Sequence, residues 1–234
     1  MKYMGSKARY AKYILPIILK DRQEGQYYVE PFCGGCNTLD KVENPRIGND
    51  IHPHLICMFD AVSSGWMPPE FISEINYKGY QKDKTVDPET GYVGFALSFG
   101  GKWFGGYRRD KSGDNSIENM KTQSRRSYKD ALKQFPKLLG VEFFNKNYWE
   151  LDIPPNSIIY CDPPYAGTTK YSTNSFDHDK FWHWCNEQIN KGHKVFVSEY
   201  NAPEGWTCVW EKEVSSSLTK DTGSKKAIER LFTK

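Results

Sequence analysis

The residues best suited to chemistry are Asp162-Pro-Pro-Tyr165, which follow the apolar run Ile158-Ile-Tyr-Cys161. Neither proline has an N–H and each fixes its own φ, so the turn is rigid and its carbonyls stay open as acceptors. A carboxylate and such a carbonyl together match the two N–H donors of an exocyclic amine. Tyr165 adds an aromatic face on which a flat base stacks. The plainer alternative is a strand-ending Asp-Pro turn with a packed tyrosine. A ligand site is favoured because open parallel sheets bind ligands just beyond the carboxyl ends of their strands.

A second stretch, Tyr28-Val-Glu-Pro-Phe-Cys-Gly-Gly-Cys36, again runs from strand to glycine turn. Glycines there let a ligand approach the backbone closely, but the full Gly-x-Gly-x-x-Gly spacing of a dinucleotide site is absent. Further on, in Ile47-Gly-Asn-Asp-Ile51, the next strand ends in Asp50, an acid at the position that commonly takes ribose hydroxyls. Two adjacent strand ends, one glycine-rich and one acidic, would make a nucleoside pocket, although a structural turn and a helix-capping Asp50 remain open. The opening Lys2-Tyr-Met-Gly-Ser-Lys7 lacks the Walker spacing and is not an ATPase loop.

These groups need strands and helices to position them. Short β-branched and aromatic runs predict strands at Tyr27–Glu30, Arg46–Asn49, Val141–Asn145, Ser157–Cys161, Lys194–Glu199, Thr207–Val214 and Ile228–Phe232. Helical stretches at Lys7–Lys20, Pro53–Ser63, Tyr128–Leu139 and His178–Lys191 alternate with them, which predicts an α/β protein with a mostly parallel sheet covered on both faces. The last two strands lie close enough to pair antiparallel at the sheet edge. From Ser64 to about Gln123 the rhythm breaks. Pro68-Pro69, the turn-rich Asp87-Pro-Glu-Thr-Gly91 and the stretch Phe99-Gly-Gly-Lys-Trp-Phe-Gly-Gly-Tyr107 read as an insertion.

The 234 residues suffice for one domain with an insertion, and 38% hydrophobic content excludes global disorder. With a mean hydropathy of −0.71 and no long apolar run, a membrane span is not expected, and the chain reads as cytoplasmic. The net charge of +3 is unevenly spread. Between Lys102 and Lys137 ten basic residues face four acidic ones, a surplus of six that leaves the rest of the chain at −3. A basic insertion on a slightly acidic body suits a polyanion, and equally a solvated basic helix. The six cysteines are spread along the chain, which favours a reduced compartment over a disulfide scaffold. Cys33 and Cys36 with His52, His54 and Cys57 lack the paired-ligand spacing of a structural zinc site, so no metal is expected. Cys33-Gly-Gly-Cys36 after a strand also leaves a thiol–disulfide redox protein as a rival reading, one that gives the other motifs no role.

Taken in order, Lys-Tyr-x-Gly-x-Lys, Glu-Pro-Phe-x-Gly-Gly, Asn-Asp-Ile and Asp-Pro-Pro-Tyr resemble the Dam-type DNA adenine methyltransferases. Ser198-Glu-Tyr-Asn201, and Gly223-Ser-Lys-Lys226 followed by Glu229-Arg-Leu231, extend the likeness towards the other end but not into the insertion. The resemblance implies a Rossmann-like seven-stranded sheet that binds S-adenosylmethionine and methylates adenine in double-stranded DNA. No membrane and no obligate protein partner are implied. It assigns Tyr3, Lys7, Glu30, Phe32, Gly34, Asp50, Ile51 and Asp162 to the cofactor, and Asp162, Pro163, Pro164 and Tyr165 to catalysis. Lys2, Lys225 and Lys226 would face DNA. An amino-methyltransferase acting on RNA or protein is the remaining alternative; the basic insertion argues for nucleic acid.

The expected organisation is a catalytic domain of residues 1–63 and 140–234, with residues 64–139 as an inserted target-recognition domain. Within the insertion, Lys102, Trp103, Arg108, Arg109, Lys121, Arg125 and Arg126 are the expected DNA contacts. Arginine binds guanine edges with two prongs, lysine holds phosphate, and an aromatic at a loop tip can wedge into the gap left by a flipped base. The competing reading of Phe99–Tyr107 is a surface hairpin with a buried Trp103.

Overall fold

The computed structural model describes residues 1–109, 117–165, 176–215 and 226–234, with backbone alone at 117–122, 214–215 and 226–227. Among the described residues seven strands form one sheet: β1 Tyr28–Glu30, β2 Arg46–Asn49, β3 Glu142–Phe144, β4 Ile158–Cys161, β5 Lys194–Glu199, β6 Thr207–Ser215 and β7 Lys226–Thr233. Their order is β3-β2-β1-β4-β5-β7-β6. The first five strands in this order pair in parallel, and β7 runs antiparallel between β5 and β6.

Alternation along the strands divides the core. Tyr28, Ile158, Tyr160 and Phe196 point to one face, while Val29, Ile159, Cys161, Val195 and Val197 point to the other. Both faces are covered, so the central strands read as unbroken buried runs rather than as alternating ones. Helices α1 Ala11–Ile18, α2 Pro53–Ser63, α4 Pro88–Ala96 and part of α5 Ile117–Gln134 cover the first face, and α6 His178–Asn190 covers the second. No helix among the described residues is long and apolar enough to cross a membrane.

The structure amends three readings of the sequence. The helical stretch from Lys7 is a 3-10 turn, Lys7–Arg9, followed by α1. The stretch from Tyr128 is the second half of α5 plus a 3-10 turn, Phe135–Leu138. Asp87-Pro-Glu-Thr-Gly91, which reads as a turn, instead starts α4. The Asp87 carboxylate accepts the Thr90 N–H at 2.8 Å and Pro88 takes the first helical position, where its missing N–H costs nothing. A further helix, α3 Glu74–Asp83, is capped by Ser73 in the same way.

Residues 64–139 fall between β2 and β3 and share a core with the sheet. Tyr77, Tyr92, Phe95 and Phe104 belong to the same buried cluster as Tyr28 and Phe59. The contact between α4 and α2 is backbone-close: a Cβ on Gly91 would lie 2.3 Å from the His54 carbonyl oxygen. The described part of the segment is thereby packed directly onto α2.

Candidate active site

The strand order reverses between β1 and β4, and the crevice beyond their carboxyl ends is where open α/β sheets bind ligands. Asp162 leaves β4 there. Its Oδ1 lies 3.2 Å from Lys7 Nζ, which also stands 3.4 Å from Glu229 Oε2. The Tyr165 hydroxyl donates to the same Glu229 oxygen at 2.8 Å, and the Lys7 ammonium sits 4.4 Å from the Tyr165 ring centroid. Tyr200 meets Tyr165 edge-on at 4.7 Å. Lys7 reaches this position from the 3-10 turn that Ser6 caps, Asp162 from β4, and Glu229 from β7 as it runs past the end of β5.

These charges set one another. Burial pushes the Asp162 carboxyl up, and the Lys7 ammonium opposes that rise. Burial alone would lower Lys7; Asp162 and Glu229 more than reverse it, so its pKa is raised and the side chain, only 9% exposed, stays charged. Burial also raises the Tyr165 hydroxyl well above its ordinary value, which keeps it a donor.

The neighbouring strand ends are tied by Asn49 and Asp50. Asn49 Nδ2 donates to the Pro31 and Lys146 carbonyls, each at 3.0 Å. Asp50 accepts the Gly34 N–H at 3.1 Å and the His52 N–H at 2.9 Å, while burial raises its carboxyl. Asp50 thus links the glycine turn to the end of β2, and Ile51 beside it is 68% exposed. Gly34 has φ +46, and a Cβ there would meet the Tyr3 ring at 2.7 Å; one on Gly35 would meet Tyr3 at 2.5 Å. In this structure the glycines admit the Tyr3 ring. Phe32 packs against Tyr148, Phe176 and Phe181. Glu30 lies beneath the turn, 2% exposed, takes the Tyr28 hydroxyl at 2.8 Å, and is pushed by burial up to about 8.

The expected DNA contacts are spread over several surroundings. Gly101 abuts the Lys2 carbonyl and Tyr3, and its own carbonyl accepts the Met4 N–H at 3.3 Å, so the glycine-rich loop sits against the opening motif. Lys2 and Lys102 are exposed. Trp103 is not at a loop tip: it packs among His52, His54, Phe95 and Phe104. The aromatic this loop exposes is Phe99, at 70%. Arg108 donates to Ser127 Oγ at 3.0 Å, Arg109 forks onto Glu74 at 2.7 and 2.6 Å, and Arg125 lies 3.4 Å from Glu70. Arg126 is exposed on α5. Lys225 and the side chains of Lys121 and Lys226 lie outside the described residues.

Cys33 and Cys36 are buried, and burial raises both thiols. Reactive thiols need the opposite, an exposed and electropositive setting, so the redox reading is left without support. Among the described residues no group of three or more His, Cys, Asp or Glu could hold a metal ion. Sequence reasoning gave no role to Glu229 or Tyr200. Both stand in stretches that resemble the family, but only the placement of β7 beside β5 brings Glu229 to Lys7.

A family model described as D12 class N6 adenine-specific DNA methyltransferase matches residues 3–103 and 103–222. No curated protein matches the chain. Among solved structures, it is similar to SMU.472, described as a candidate methyltransferase complexed with SAH, at 12% identity and a TM-score of 0.36. That match covers 98% of this chain and 53% of the other, so the chain spans about half the length of that protein.

Proposed function

The chain belongs to the D12 class of N6 adenine-specific DNA methyltransferases, and on that premise we propose that it methylates the exocyclic amine of adenine in double-stranded DNA, using S-adenosylmethionine. The motif order supports a Dam-like subclass. The observation that carries the reading is the placement of Asp162 at the reversal of strand order, paired with Lys7 and followed by Pro163, Pro164 and Tyr165.

The residues fit the cofactor. Asp50 stands at a strand end with an exposed Ile51 beside it, a carboxylate for ribose hydroxyls next to an apolar surface for a purine. Tyr3 and Lys7 line the same crevice, above Glu30, Phe32 and Gly34. The excess of carboxylate around Lys7 suits a cationic ligand. When bound, S-adenosylmethionine supplies an electrophilic methyl group.

An adenine amino nitrogen is a poor nucleophile because its lone pair is delocalised into the ring. Asp162 and the Pro163 carbonyl would accept its two N–H groups, favour a tetrahedral nitrogen and direct the lone pair. Lys7 opposes the effect of burial on Asp162 and so favours its ionised, acceptor-only form. Pro164 locks the turn, and Tyr165 stacks on the base once it leaves the duplex. The work is positioning and electrostatics, with no covalent enzyme intermediate. Lys2 and Lys102 at the rim would hold phosphates, and Phe99, in place of Trp103, would fill the gap in the stack.

Purified protein incubated with S-adenosylmethionine and duplex DNA should yield N6-methyladenine on mass spectrometry of the digested DNA. Methylation confined to cytosine, RNA or protein would overturn the proposal.

A further inference from the structure

Around Lys7 the site holds more negative than positive charge. One ammonium is shared by two carboxylates, Asp162 at 3.2 Å and Glu229 at 3.4 Å. Among the described residues, the other charged groups nearby do not offset the surplus. Glu30 is kept protonated at neutral pH by its burial, Arg230 is turned to the Tyr200 carbonyl and to Glu211, and Glu199 lies 3.9 Å from His178. Asp162 with Lys7 alone would be a neutral pair, so Glu229 supplies the extra charge. A surplus in a shielded site is costly unless a ligand completes it.

We propose that Glu229 selects for the charged form of the cofactor, holding a sulfonium in preference to the neutral thioether left after transfer. This deepens the proposed function and rests on it. If the amine is gripped by Asp162, the reacting carbon lies about 3–3.5 Å from the nitrogen. The sulfur is then a short step further, inside the field of both carboxylates. Methyl transfer forms the C–N bond, leaves the C–S electron pair on sulfur and moves the positive charge to the amine, which loses a proton to solvent. The attraction that held the cofactor is thereby removed from the product. Glu229 is a positioning residue in a second respect as well, since it also receives the Tyr165 hydroxyl.

The test is calorimetric binding of S-adenosylmethionine and of S-adenosylhomocysteine to the full chain, compared across wild type, Glu229→Gln and Glu229→Asp. Glutamine keeps the size and an acceptor for Tyr165 but not the charge. It should weaken S-adenosylmethionine on the order of tenfold while moving S-adenosylhomocysteine less than about twofold. Glu229→Asp should restore the preference. Equal losses for both ligands, the mark of a structural role, or no loss at all overturn the proposal. Sinefungin, which carries an amine where the sulfonium stands, provides a measurement in wild type alone. It should bind more tightly than S-adenosylhomocysteine, and equal affinity overturns the proposal even if a variant fails to fold. A wild-type chain that binds none of these ligands overturns the proposed function itself.

Discussion

The crevice beyond β1 and β4 and the surface of residues 64–139 both carry paired charges, under opposite conditions. In the crevice, Lys7, Asp162 and Glu229 share one shielded cluster in which each group shifts or stabilises another. On the surface, Arg109 with Glu74 and Arg125 with Glu70 are separate pairs of partly or largely exposed side chains. Exposed pairs are screened by solvent and contribute about 0.2–1 kcal/mol, whereas breaking a buried one costs several times more. The first arrangement keeps a reaction geometry fixed before any substrate arrives. The second can exchange partners at little cost, which suits the proposed task of meeting many DNA sites before the right one.

The largest expected effect tests the fixed region. Asp162→Ala should lower methyl transfer by on the order of 10²–10³-fold or more, read as incorporation of labelled methyl into DNA. An active variant would show that the cluster is not where the amine is held. Next, Lys7→Met removes the group that opposes the burial of Asp162, so the carboxyl should titrate higher. The acid limb of the rate–pH profile should move up by about 1–3 pH units, with activity recovering towards alkaline pH. A profile that only scales down would uncouple the two residues.

A third variant separates burial from function in the same region. The Glu30 carboxyl titrates near 8 when folded, against an ordinary 4.5. Between those values the folded state holds more protons than the unfolded, so this group's contribution to stability falls as pH rises. Glu30→Gln should therefore gain on wild type by about 2–5 kcal/mol in unfolding free energy from pH 5 to pH 8. A pH-independent difference would mean that Glu30 is charged in the folded protein.

The smallest effect belongs to the surface. Arg109→Ala should change unfolding free energy by less than about 1 kcal/mol. Binding to a randomised-site DNA library at two salt concentrations completes the test. A large loss of affinity with relaxed sequence choice would show that the arginine leaves Glu74 for a base, and that the exposed region is tied to one task as firmly as the buried one.

The sheet was legible because its strands are compact apolar runs bounded by turn residues; β2 and β5 begin and end where the pattern places them. Helices α3 and α4 were harder to read. The first buries a single residue, Tyr77, among polar neighbours, and the second begins in a Pro-Gly-containing stretch that also suits a turn. Asp162 and Asp50 announce themselves by local spacing, and Lys7 only through the family resemblance of the opening motif. Glu229 does not, because its role depends on β7 lying between β5 and β6, a pairing choice made by packing rather than by neighbours in sequence. Trp103 illustrates the converse: a basic, glycine-rich context left both an exposed and a buried ring open, and the aromatic cluster of His52, His54 and Phe95 draws it inside.

That placement of β7 also makes the candidate active centre a non-local construction. Lys7 and Glu229 meet across nearly the whole chain, so their contact has a high contact order and carries the loop-closure cost of everything between them. On the proposed reading the third charge comes only with β7, so the preference for the charged cofactor is a property of the assembled sheet rather than of any one local motif.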